Sequence, residues 1–283
     1  MTSPDAVPPV DDWNRLLEGR VALVTGAGAG IGAAVARLFA RHGALVEAAE
    51  IDAGRAEGLG AEVAGDGGAI RTHVVDVTEA RDVGRLADAV LTEHGRVDVL
   101  VNNVGDYRPL VRFERSTPDS WQQMYASNLF HVFAVTRAVL PAMIEHGRGA
   151  IVNVHSVEGM RGFPGEPVYA AMKAAAAHFT TSLAVSVGRH GVRVNGIGPD
   201  LTQTPQVDYL TGYEDHEDLW RSWAPVGRLG WPEDQARVAL FLASDLSSFV
   251  TGHNVPVDGG TLAGGGWYFS PREGRFVNRS KHL

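Results

Sequence analysis

A short apolar segment that leads through a glycine-rich turn into an amphipathic helix constrains the fold of this chain more than any other feature. Residues 20–25 (RVALVT) are rich in valine and stop at Gly26, which is typical of a buried strand. Residues 30–42 then repeat apolar side chains at intervals of three or four, which indicates an amphipathic helix. A strand and a helix joined by so short a turn predict the start of a βαβ unit.

The same alternation continues along the chain. Further strands are predicted at residues 44–50, 70–75, 97–102, 150–155, 192–197 and 254–257, and later helices at 118–145, 168–189 and 232–243. Another helix is predicted to begin at a Thr78 cap with Glu79 behind it. Because alternating strands and helices form right-handed crossovers, we predict an α/β fold. It is a single-domain, Rossmann-like, doubly wound parallel sheet with helices on both faces.

No linker or shift in composition divides the 283 residues. We therefore predict one domain over residues 19–262, with an N-terminal arm at 1–18 and a C-terminal tail at 263–283. The arm is acidic and rich in proline, and it lacks the basic, apolar and small-residue parts of a signal peptide.

Composition excludes several classes of protein. The chain has no cysteine, and its 11 histidines show no paired ligand spacing, so we expect no metal site. A net charge of −8 and a pI of about 5.7 argue against nucleic acid as a partner. No apolar run approaches about twenty residues, so no membrane span is predicted. Without cysteine or an export signal, we expect a cytoplasmic protein.

The turn at residues 25–32 (TGAGAGIG) suits a phosphate group. Glycines let the backbone bend tightly and approach a pyrophosphate, which then meets the amides and dipole of the helix N-terminus. Glu50 ends the second predicted strand; its carboxylate can accept hydrogen bonds from adenosine ribose hydroxyls and would repel a 2′-phosphate. The turn also carries no Arg or Lys. Both features favour NAD over NADP. Asp52 is a second candidate for this acid, although we place it in the loop.

One tyrosine and one lysine suggest proton transfer. Of the 25 basic side chains, only Lys173 and Lys281 are lysines, so an ammonium at 173 suggests a task that guanidinium cannot perform. Tyr169 lies four residues earlier, on the same face of the predicted helix. There the ammonium can lower the pKa of the phenol and prepare it for proton transfer. The alternative is a solvent-facing lysine beside a packed tyrosine.

Several motifs occur in one order and at consistent spacing. They are Thr25-Gly26-x-x-x-Gly30-x-Gly32, Asp76-Val77, Asn102-Asn103-Val104-Gly105, Asn128, Ser156 thirteen residues before Tyr169, and Asn195-Gly196-Ile197-Gly198-Pro199-Asp200. Together they resemble the short-chain dehydrogenase/reductase family over about residues 18–260. The resemblance implies hydride transfer between NAD and a secondary alcohol or its ketone.

The resemblance also implies a role for each matching residue. Tyr169 would be the general acid/base, and Lys173 would lower its pKa and bind the nicotinamide ribose. Ser156 would hold the substrate oxygen, and Asn128 would hold a water in a proton relay. Thr204 would bind the carboxamide of the nicotinamide. The alternative is that Thr204 caps a helix that begins at Pro205. The implied cofactor-binding set is Gly26, Ala29, Gly30, Ile31, Gly32, Glu50, Asp76, Val77, Asn103, Gly105, Tyr169, Lys173, Pro199 and Thr204.

Two positions depart from the family pattern. Asp200 stands where the family has glycine, which places a carboxylate near the expected nicotinamide end. His155 precedes Ser156 where a small residue is usual, and we expect its side chain to face away from Ser156, because neighbours on a strand alternate.

Residues 202–230 correspond to the family's mobile substrate loop. The loop contains Tyr209, Tyr213, Trp220 and Trp223. These aromatic residues suit an apolar or cyclic substrate. The acidic residues at 214–218 disfavour polyanions such as acyl-CoA, unless they only form a solvated helix face.

The tail and an alanine-rich helix indicate self-association. Three consecutive aromatic residues, 267–269, predict an ordered tail that packs against its own subunit or against a neighbouring one. Its cationic residues would form ion pairs with the acidic residues at 214–218. The tail would then either shape the substrate pocket of a neighbouring subunit or support a subunit interface. Small residues at 170–177 allow close helix approach, and the family pairs this helix across a dimer axis. We therefore expect a homo-oligomer, most simply a tetramer.

Two other functions remain open from the sequence. Within enzymes, the chain fits a cyclic diol dehydrogenase. In another class, it fits an NAD-sensing regulator that kept the fold and lost catalysis. The intact Asn128, Ser156, Tyr169 and Lys173 argue against the regulator, because a sensor has no need of a proton relay.

Overall fold

A seven-stranded parallel sheet forms the centre of the computed structural model, which describes residues 12–209 and 222–277. The strands are β1 (Val21–Thr25), β2 (Leu45–Glu50), β3 (Ala69–Val74), β4 (Val99–Asn102), β5 (Gly149–Val154), β6 (Val192–Pro199) and β7 (Asn254–Val257). Their order across the sheet is β3-β2-β1-β4-β5-β6-β7, so the winding reverses between β1 and β4. The predicted doubly wound α/β fold is confirmed.

Helices cover both faces of the sheet. They are α1 (Gly30–Arg41), α2 (Ala53–Gly65), α3 (Ala80–His94), α4 (Pro118–Tyr125), α5 (His131–Glu145), α6 (Pro167–Val187), α7 (Pro232–Ala243) and the single turn α8 (Thr261–Gly264). One core contains α1, α2 and α7, with Phe39 fully buried in it. The other core contains α3, α5 and α6, with Met143 fully buried in it. Strands between two such layers are buried on both sides, which explains why β1 and β5 are almost wholly apolar.

The predicted cap at Thr78 is wrong. Helix α3 begins after Glu79, which makes no side-chain capping hydrogen bond. Asp76 Oδ1 instead accepts hydrogen bonds from the Thr78 amide (2.9 Å) and the Thr78 hydroxyl (2.6 Å). This local turn holds the threonine side chain away from the helix end, as such side chain–backbone bonds often do.

A chain of buried amides and hydroxyls joins the sheet to α5 and α6. Asn102 Nδ2 donates to Thr136 Oγ1 (3.0 Å) and to Asn153 Oδ1 (2.9 Å). Asn153 Nδ2 then donates to Thr180 Oγ1 (2.9 Å). Since breaking one buried partnership leaves another group unsatisfied, this network fixes how the two helices sit on β4 and β5.

The helical stretch Pro118–Glu145 has the length and apolar composition of a membrane span, with a mean hydropathy of 1.3 in its best window. Polar residues interrupt the stretch, so the match rests on helix length and mean hydropathy and not on an unbroken apolar run. In the fold, 44% of that window is buried, and α5 within it packs against α3 and the sheet. A core helix of an α/β domain meets the same criteria.

A hairpin follows the domain near its C-terminal end. Strands β8 (Tyr268–Ser270) and β9 (Arg275–Val277) pair antiparallel after α8. Within one chain, Trp267 remains 51% exposed and Phe269 36% exposed. Burial of these aromatic residues against a neighbouring copy therefore stays a prediction. The predicted partners at 214–218, and the tail beyond 277, lie outside the described residues.

His155 fills the space that two glycines of β6 leave open. Its ring is buried, and a Cβ atom added to Gly196 would lie 2.8 Å from ring atoms Cδ2 and Nε2. A Cβ atom on Gly198 would lie 3.0 Å from ring atom Cε1. The bulky residue before Ser156 and the missing side chains on β6 are therefore two parts of one packing arrangement.

This packing predicts a coupled pair of substitutions. Gly196→Ala should destabilise the fold by about 1–3 kcal/mol, because the new methyl group overlaps the His155 ring and the Asn254 side chain. In the double variant with His155→Ala, the loss should be smaller than the sum of the two single losses. Urea denaturation of the four proteins measures this coupling.

Gly58→Ala is the matched control, because nothing lies within 4 Å of its added Cβ atom in α2. It should be neutral or stabilising by about 0.5–1 kcal/mol. Strictly additive losses for His155→Ala and Gly196→Ala would contradict the packing account.

Candidate active site

A cleft of about 860 Å³ opens at the carboxyl ends of the strands, where the winding reverses. Ligands of open α/β sheets bind at this position. Its walls contain most of the predicted site: Gly26, Ala29, Gly30, Ile31, Glu50, Asp76, Val77, Asn103, Gly105, Ser156, Tyr169, Lys173, Pro199 and Thr204. Gly32 and Asn128 do not line it, and both lie behind its surface.

The glycine turn forms one end of the cleft. Gly26 (φ 61°) and Gly30 (φ 54°) adopt left-handed backbone conformations that favour glycine. A Cβ atom on Gly32 would lie 2.1 Å from the Gly26 carbonyl oxygen, so Gly32 allows α1 to approach the turn. Helix α1 has no side-chain cap and no acidic residue in its first turn. Its free amides and positive dipole end therefore suit a pyrophosphate.

Asn103 braces this turn from the end of β4. Its Nδ2 atom donates to the carbonyl oxygens of Thr25 and Gly26, both at 3.1 Å. Its backbone amide donates to Thr25 Oγ1 at 3.0 Å. The side chain thus shapes the phosphate end of the cleft by holding the backbone of the turn.

Glu50 and Arg55 mark the adenosine end. The buried Glu50 carboxylate accepts hydrogen bonds from the amides of Gly28 (2.9 Å) and Asp52 (3.1 Å). Arg55 Nη2 lies 2.8 Å from Glu50 Oε1, an ion pair that sequence reasoning missed. Asp52 lies beyond the strand, as expected, and caps α2 by accepting a hydrogen bond from the Arg55 amide. No sequence spacing signalled this pair, because it depends on how α2 follows β2 in the fold.

Thr204 lies beside the glycine turn, 3.4 Å from where a Cβ atom of Gly30 would stand. Its Oγ1 atom accepts a hydrogen bond from the Val207 amide (3.0 Å), and the two residues also exchange backbone hydrogen bonds. Thr204 therefore caps a tight turn, and no helix begins at Pro205 in the described part of the loop. A bridge between Thr202 and Gly230 closes the base of the loop, and residues 210–221 lie outside the described chain.

Lys173 is a buried cation in the wall of the cleft, beside the Tyr169 ring. Its side chain is 3% exposed, and Nζ donates to the Val154 carbonyl oxygen at 3.3 Å. Burial lowers the pKa of Lys173 to about 8, and only Asp106 opposes this effect. Nζ lies 5.6 Å from the centre of the Tyr169 ring, so the predicted pair does share one face of α6.

The pKa of Tyr169 differs from the expectation. Burial raises it to about 12; a hydrogen bond from Ser156 lowers it, and the Glu158 and Asp106 charges raise it further. The expectation of a lowered pKa is therefore wrong, because burial of the phenol dominates in this structure. Sequence spacing placed the two side chains together but contained no information on how deeply the fold buries the phenol.

Asn128 lies in a π-helical turn, Ala126–Phe130, between α4 and α5. Such turns are frequent at functional sites. Its side-chain Oδ1 atom accepts a hydrogen bond from the Asp106 amide (3.1 Å), and its Nδ2 atom donates to the Asp106 backbone carbonyl (2.7 Å). A Cβ atom on Gly105 would lie 2.6 Å from Lys173 Nζ and 3.1 Å from Asn128 Oδ1. Glycine at 105 therefore leaves the lysine and asparagine facing one small space.

Ser156 begins the loop after β5. Its Oγ atom accepts a hydrogen bond from the Glu158 amide (3.1 Å) and lies 3.5 Å from the Pro199 carbonyl oxygen. Tyr169 is enclosed by other rings. Its ring centre lies 6.1 Å from that of Tyr107 and 6.2 Å from that of Phe163, both edge to face. The cleft wall beside the reactive hydroxyls is thus largely aromatic.

Two buried histidines near Lys173 stay uncharged. Burial, with a contribution from the Lys173 charge, lowers the pKa of His131 to about 3. Burial lowers the pKa of His155 to about 4. Neither ring therefore adds a positive charge beside the ammonium at neutral pH.

The profile of a protein family described as enoyl-(acyl carrier protein) reductase matches residues 26–261. A 3-oxoacyl-[acyl-carrier-protein] reductase of Thermotoga maritima is 41% identical over 87% of this chain and 99% of its own. A D-threitol dehydrogenase of Mycolicibacterium smegmatis is 39% identical over 88% of this chain and 95% of its own. The chain belongs to the short-chain dehydrogenase/reductase family.

A solved structure of the family supports the same architecture. A 7α-hydroxysteroid dehydrogenase, complexed with NADH and 7-oxo glycochenodeoxycholic acid, superposes with a TM-score of 0.82 and 34% identity. The match covers 87% of this chain and 96% of that one. The short-chain dehydrogenase/reductase fold of this chain is therefore complete from the glycine turn to β7.

The arrangement can support proton transfer beside a nucleotide. The N-terminus of α1 offers free amides to a pyrophosphate, Glu50 offers a carboxylate to ribose hydroxyls, and Tyr169 and Ser156 offer hydroxyls at the opposite end. A nicotinamide dinucleotide fits these groups and supplies, when bound, a hydride acceptor or donor. The remaining task of the protein is to hold the substrate oxygen and move its proton.

Lys173→Arg tests whether the site needs a lysine. Arginine remains protonated up to about pH 12, and its planar fork does not fit the space that Gly105 and Asn128 leave for Nζ. We expect kcat to fall by roughly 10²-fold or more, within the usual range for lost acid–base catalysis. Turnover followed by NADH absorbance measures the change.

Lys173→Met is the companion variant, because it keeps a straight stem and removes the charge. It should lose activity as well, while thermal denaturation shows that both variants fold. A Lys173→Arg enzyme with kcat within about threefold of the parent would contradict a specific need for an ammonium, since that change is far below the expected range.

Proposed function

We propose that this chain is an NAD(H)-dependent oxidoreductase that transfers a hydride between nicotinamide and a secondary alcohol or its ketone. The observation that carries the proposal is the position of Tyr169, Ser156 and Lys173 at one end of a cleft whose other end is the glycine turn. The buried lysine supports catalysis over sensing, because a binding module gains nothing from a desolvated cation beside a phenol.

Each side chain has one task in the proposed reaction. Ser156 Oγ hydrogen bonds the substrate oxygen and holds it beside the Tyr169 hydroxyl. Tyr169 accepts the carbinol proton during oxidation and returns it during reduction. The Lys173 ammonium stabilises the phenolate that forms, and its pKa of about 8 lets it exchange protons near neutral pH. Asn128 orders the space behind Lys173, through which a water would carry the proton to solvent.

The adenosine end supports NAD over NADP. A 2′-phosphate would meet the buried Glu50 carboxylate, which is already held by two amides and by Arg55. The aromatic walls formed by Tyr107, Phe163 and Tyr209 support an apolar or cyclic substrate. The relatives include reductases of acyl-carrier-protein substrates and a dehydrogenase of D-threitol, so the family alone does not choose a substrate.

We further propose a cytoplasmic homo-oligomer. Large apolar side chains remain exposed on α6, α7 and the hairpin, including Val185 (83%), Phe241 (40%) and Trp267 (51%). Such residues support burial against other copies, and a tetramer is the simplest assembly that uses several separate patches. Light scattering that finds only a 30.2 kDa monomer at micromolar concentration would contradict this proposal.

A paired panel of secondary alcohols and their ketones tests the function. NADH and NADPH absorbance is followed in both directions, and NADH binding is measured separately by fluorescence. The proposal predicts turnover with NAD(H) on members of the panel. Cofactor binding without turnover of any alcohol or ketone would favour the sensing regulator.

Glu50→Ala tests the cofactor preference. The substitution removes the charge that opposes a 2′-phosphate and frees Arg55, which stands 2.8 Å from that carboxylate, to bind the phosphate. We expect kcat/KM with NADP(H), relative to NAD(H), to rise by roughly 10-fold to 100-fold, the range of one charge-assisted hydrogen bond.

The double variant Glu50→Ala, Arg55→Ala separates the two effects. It should lose most of the gain, because the phosphate then has no cation to contact. A parent enzyme that already prefers NADP(H) in steady-state kinetics would contradict the assignment of Glu50.

A further inference from the structure

Two carboxylates stand beside the catalytic hydroxyls, and one arginine holds both. Arg161 Nη2 donates to Glu158 Oε1 (2.7 Å) and to Asp200 Oδ2 (2.8 Å), and its Nε donates to Glu158 Oε2 (3.3 Å). Glu158 and Asp200 line the cleft together with Tyr169 and Ser156. The guanidinium group is therefore occupied by the protein's own carboxylates.

Hydrogen bonds from several parts of the fold hold the Asp200 carboxylate in place. Its Oδ2 atom also accepts a hydrogen bond from Thr261 Oγ1 (2.6 Å), at the start of α8. Its Oδ1 atom accepts the amide of Leu201 (2.8 Å), whose φ of 41° is in the left-handed region. A non-glycine residue in that conformation costs of order 1 kcal/mol and persists only where its surroundings hold it. The carboxylate that replaces the family's glycine is thus built into the pocket wall.

Both carboxylates keep hydrogen-bonding capacity. A carboxylate offers about four acceptor positions, two on each oxygen. In the part of the chain that the structure describes, each Glu158 oxygen accepts one hydrogen bond and Asp200 Oδ1 accepts one. Each of these three oxygens therefore retains an acceptor position for a substrate group.

The pair also lies close to the reacting oxygen. The Glu158 amide donates to Ser156 Oγ at 3.1 Å, and Asp200 directly follows Pro199, whose carbonyl oxygen lies 3.5 Å from the same Oγ. The Glu158 charge also acts on the Tyr169 phenol, whose pKa it raises. While Ser156 holds the reacting oxygen, a group on the carbon next to the reacting carbinol would therefore face the wall that carries these acceptors.

The guanidinium groups of this wall are already paired with carboxylates. Asp106 is paired with Arg108 through two side-chain hydrogen bonds at 3.0 and 3.1 Å, as Glu158 and Asp200 are with Arg161. The Lys173 ammonium also lines the cleft, but it is buried. A substrate carboxylate would find no uncommitted guanidinium group here, whereas a hydroxyl group would find open acceptors.

We infer that Glu158 and Asp200, held by Arg161, are specificity-determining residues that bind a second hydroxyl group on a neutral substrate. The substrate class is a vicinal diol, or the α-hydroxyketone formed from it, most readily on a ring that fits against Tyr107 and Phe163. This inference rests on the proposed function, because it assigns the substrate of the same site.

Three compounds with one ring test the inference on the intact enzyme with NAD. They are cyclohexanol, trans-1,2-cyclohexanediol and 2-hydroxycyclohexanecarboxylate. We expect kcat/KM for the diol to exceed that for cyclohexanol by roughly tenfold to a hundredfold, the range of one hydrogen bond to a charged acceptor. The hydroxy acid should be the poorest substrate. The reverse direction gives a second measurement: 2-hydroxycyclohexanone should be reduced by NADH with a higher kcat/KM than cyclohexanone, as followed by NADH absorbance.

Substitutions of the two carboxylates test whether they cause the preference for the diol. Glu158→Gln and Asp200→Asn should reduce the diol-to-cyclohexanol ratio severalfold, and Asp200→Gly, which restores the family's residue, should reduce it as well. Asp66→Asn is the matched control, because Asp66 pairs with Arg41 (3.0 Å) at a site that does not line the cleft. Its ratio should equal that of the parent. NADH binding and thermal denaturation show which variants are folded. If Glu158→Gln does not fold, Asp200→Gly provides the test.

The outcomes separate this inference from the proposed function. Equal efficiency with cyclohexanol and the diol, or a preference for the hydroxy acid, would overturn the inference while the oxidoreductase assignment stands. An unchanged ratio in folded Glu158→Gln and Asp200→Gly enzymes would overturn it too. Binding of NADH without oxidation of any secondary alcohol would overturn the proposed function and the inference together.

Discussion

The burial of the Lys173 ammonium is the constraint on which the site depends. Its pKa falls from 10.5 in water to about 8 in the fold, which corresponds to a cost of roughly 3 kcal/mol for the charged form. Because the folded value is the lower one, the unfolded chain holds this proton more tightly. The penalty is therefore complete below about pH 8 and disappears as pH rises toward 10.5. A fold that retains such a cation gives up stability for chemistry.

The rest of the cleft is organised by close approach of backbone to side chain. Gly105 leaves room for Lys173 Nζ and Asn128 Oδ1, and Gly32 lets α1 reach the glycine turn. The amide network from Asn102 through Asn153 fixes α5 and α6 on the sheet, and α6 carries Tyr169 and Lys173. Rigid elements thus set the positions of groups that must act within hydrogen-bonding distance of one another.

The sequence predicted the fold and the residues that line the cleft better than it predicted the charges and pKa values within the cleft. The outer ends of the predicted strands and helices lie within two residues of the observed ones, because apolar periodicity and glycines record local geometry directly. Helix α2 was not predicted, and the π-helical turn that divides the predicted helix 118–145 was missed. The Thr78 cap failed because Asp76 competes for the same hydroxyl. The Tyr169 pKa, the Glu50–Arg55 pair and the Arg161–Asp200 pair depend on burial and on contacts across the fold. No spacing rule contains that information.

His155 and Gly196 were both noticed in the sequence, yet only the structure shows that they pack together.

The most direct test of the account is Tyr169→Phe, which removes one hydroxyl group and keeps the ring that packs against Tyr107 and Phe163. NADH affinity and NAD-dependent oxidation of a secondary alcohol are measured on the same preparation. The account predicts NADH binding close to that of the parent and a loss in kcat of at least about 10²-fold, since the phenol is the proposed proton acceptor. Unchanged turnover in the folded variant would contradict the assignment of the whole site.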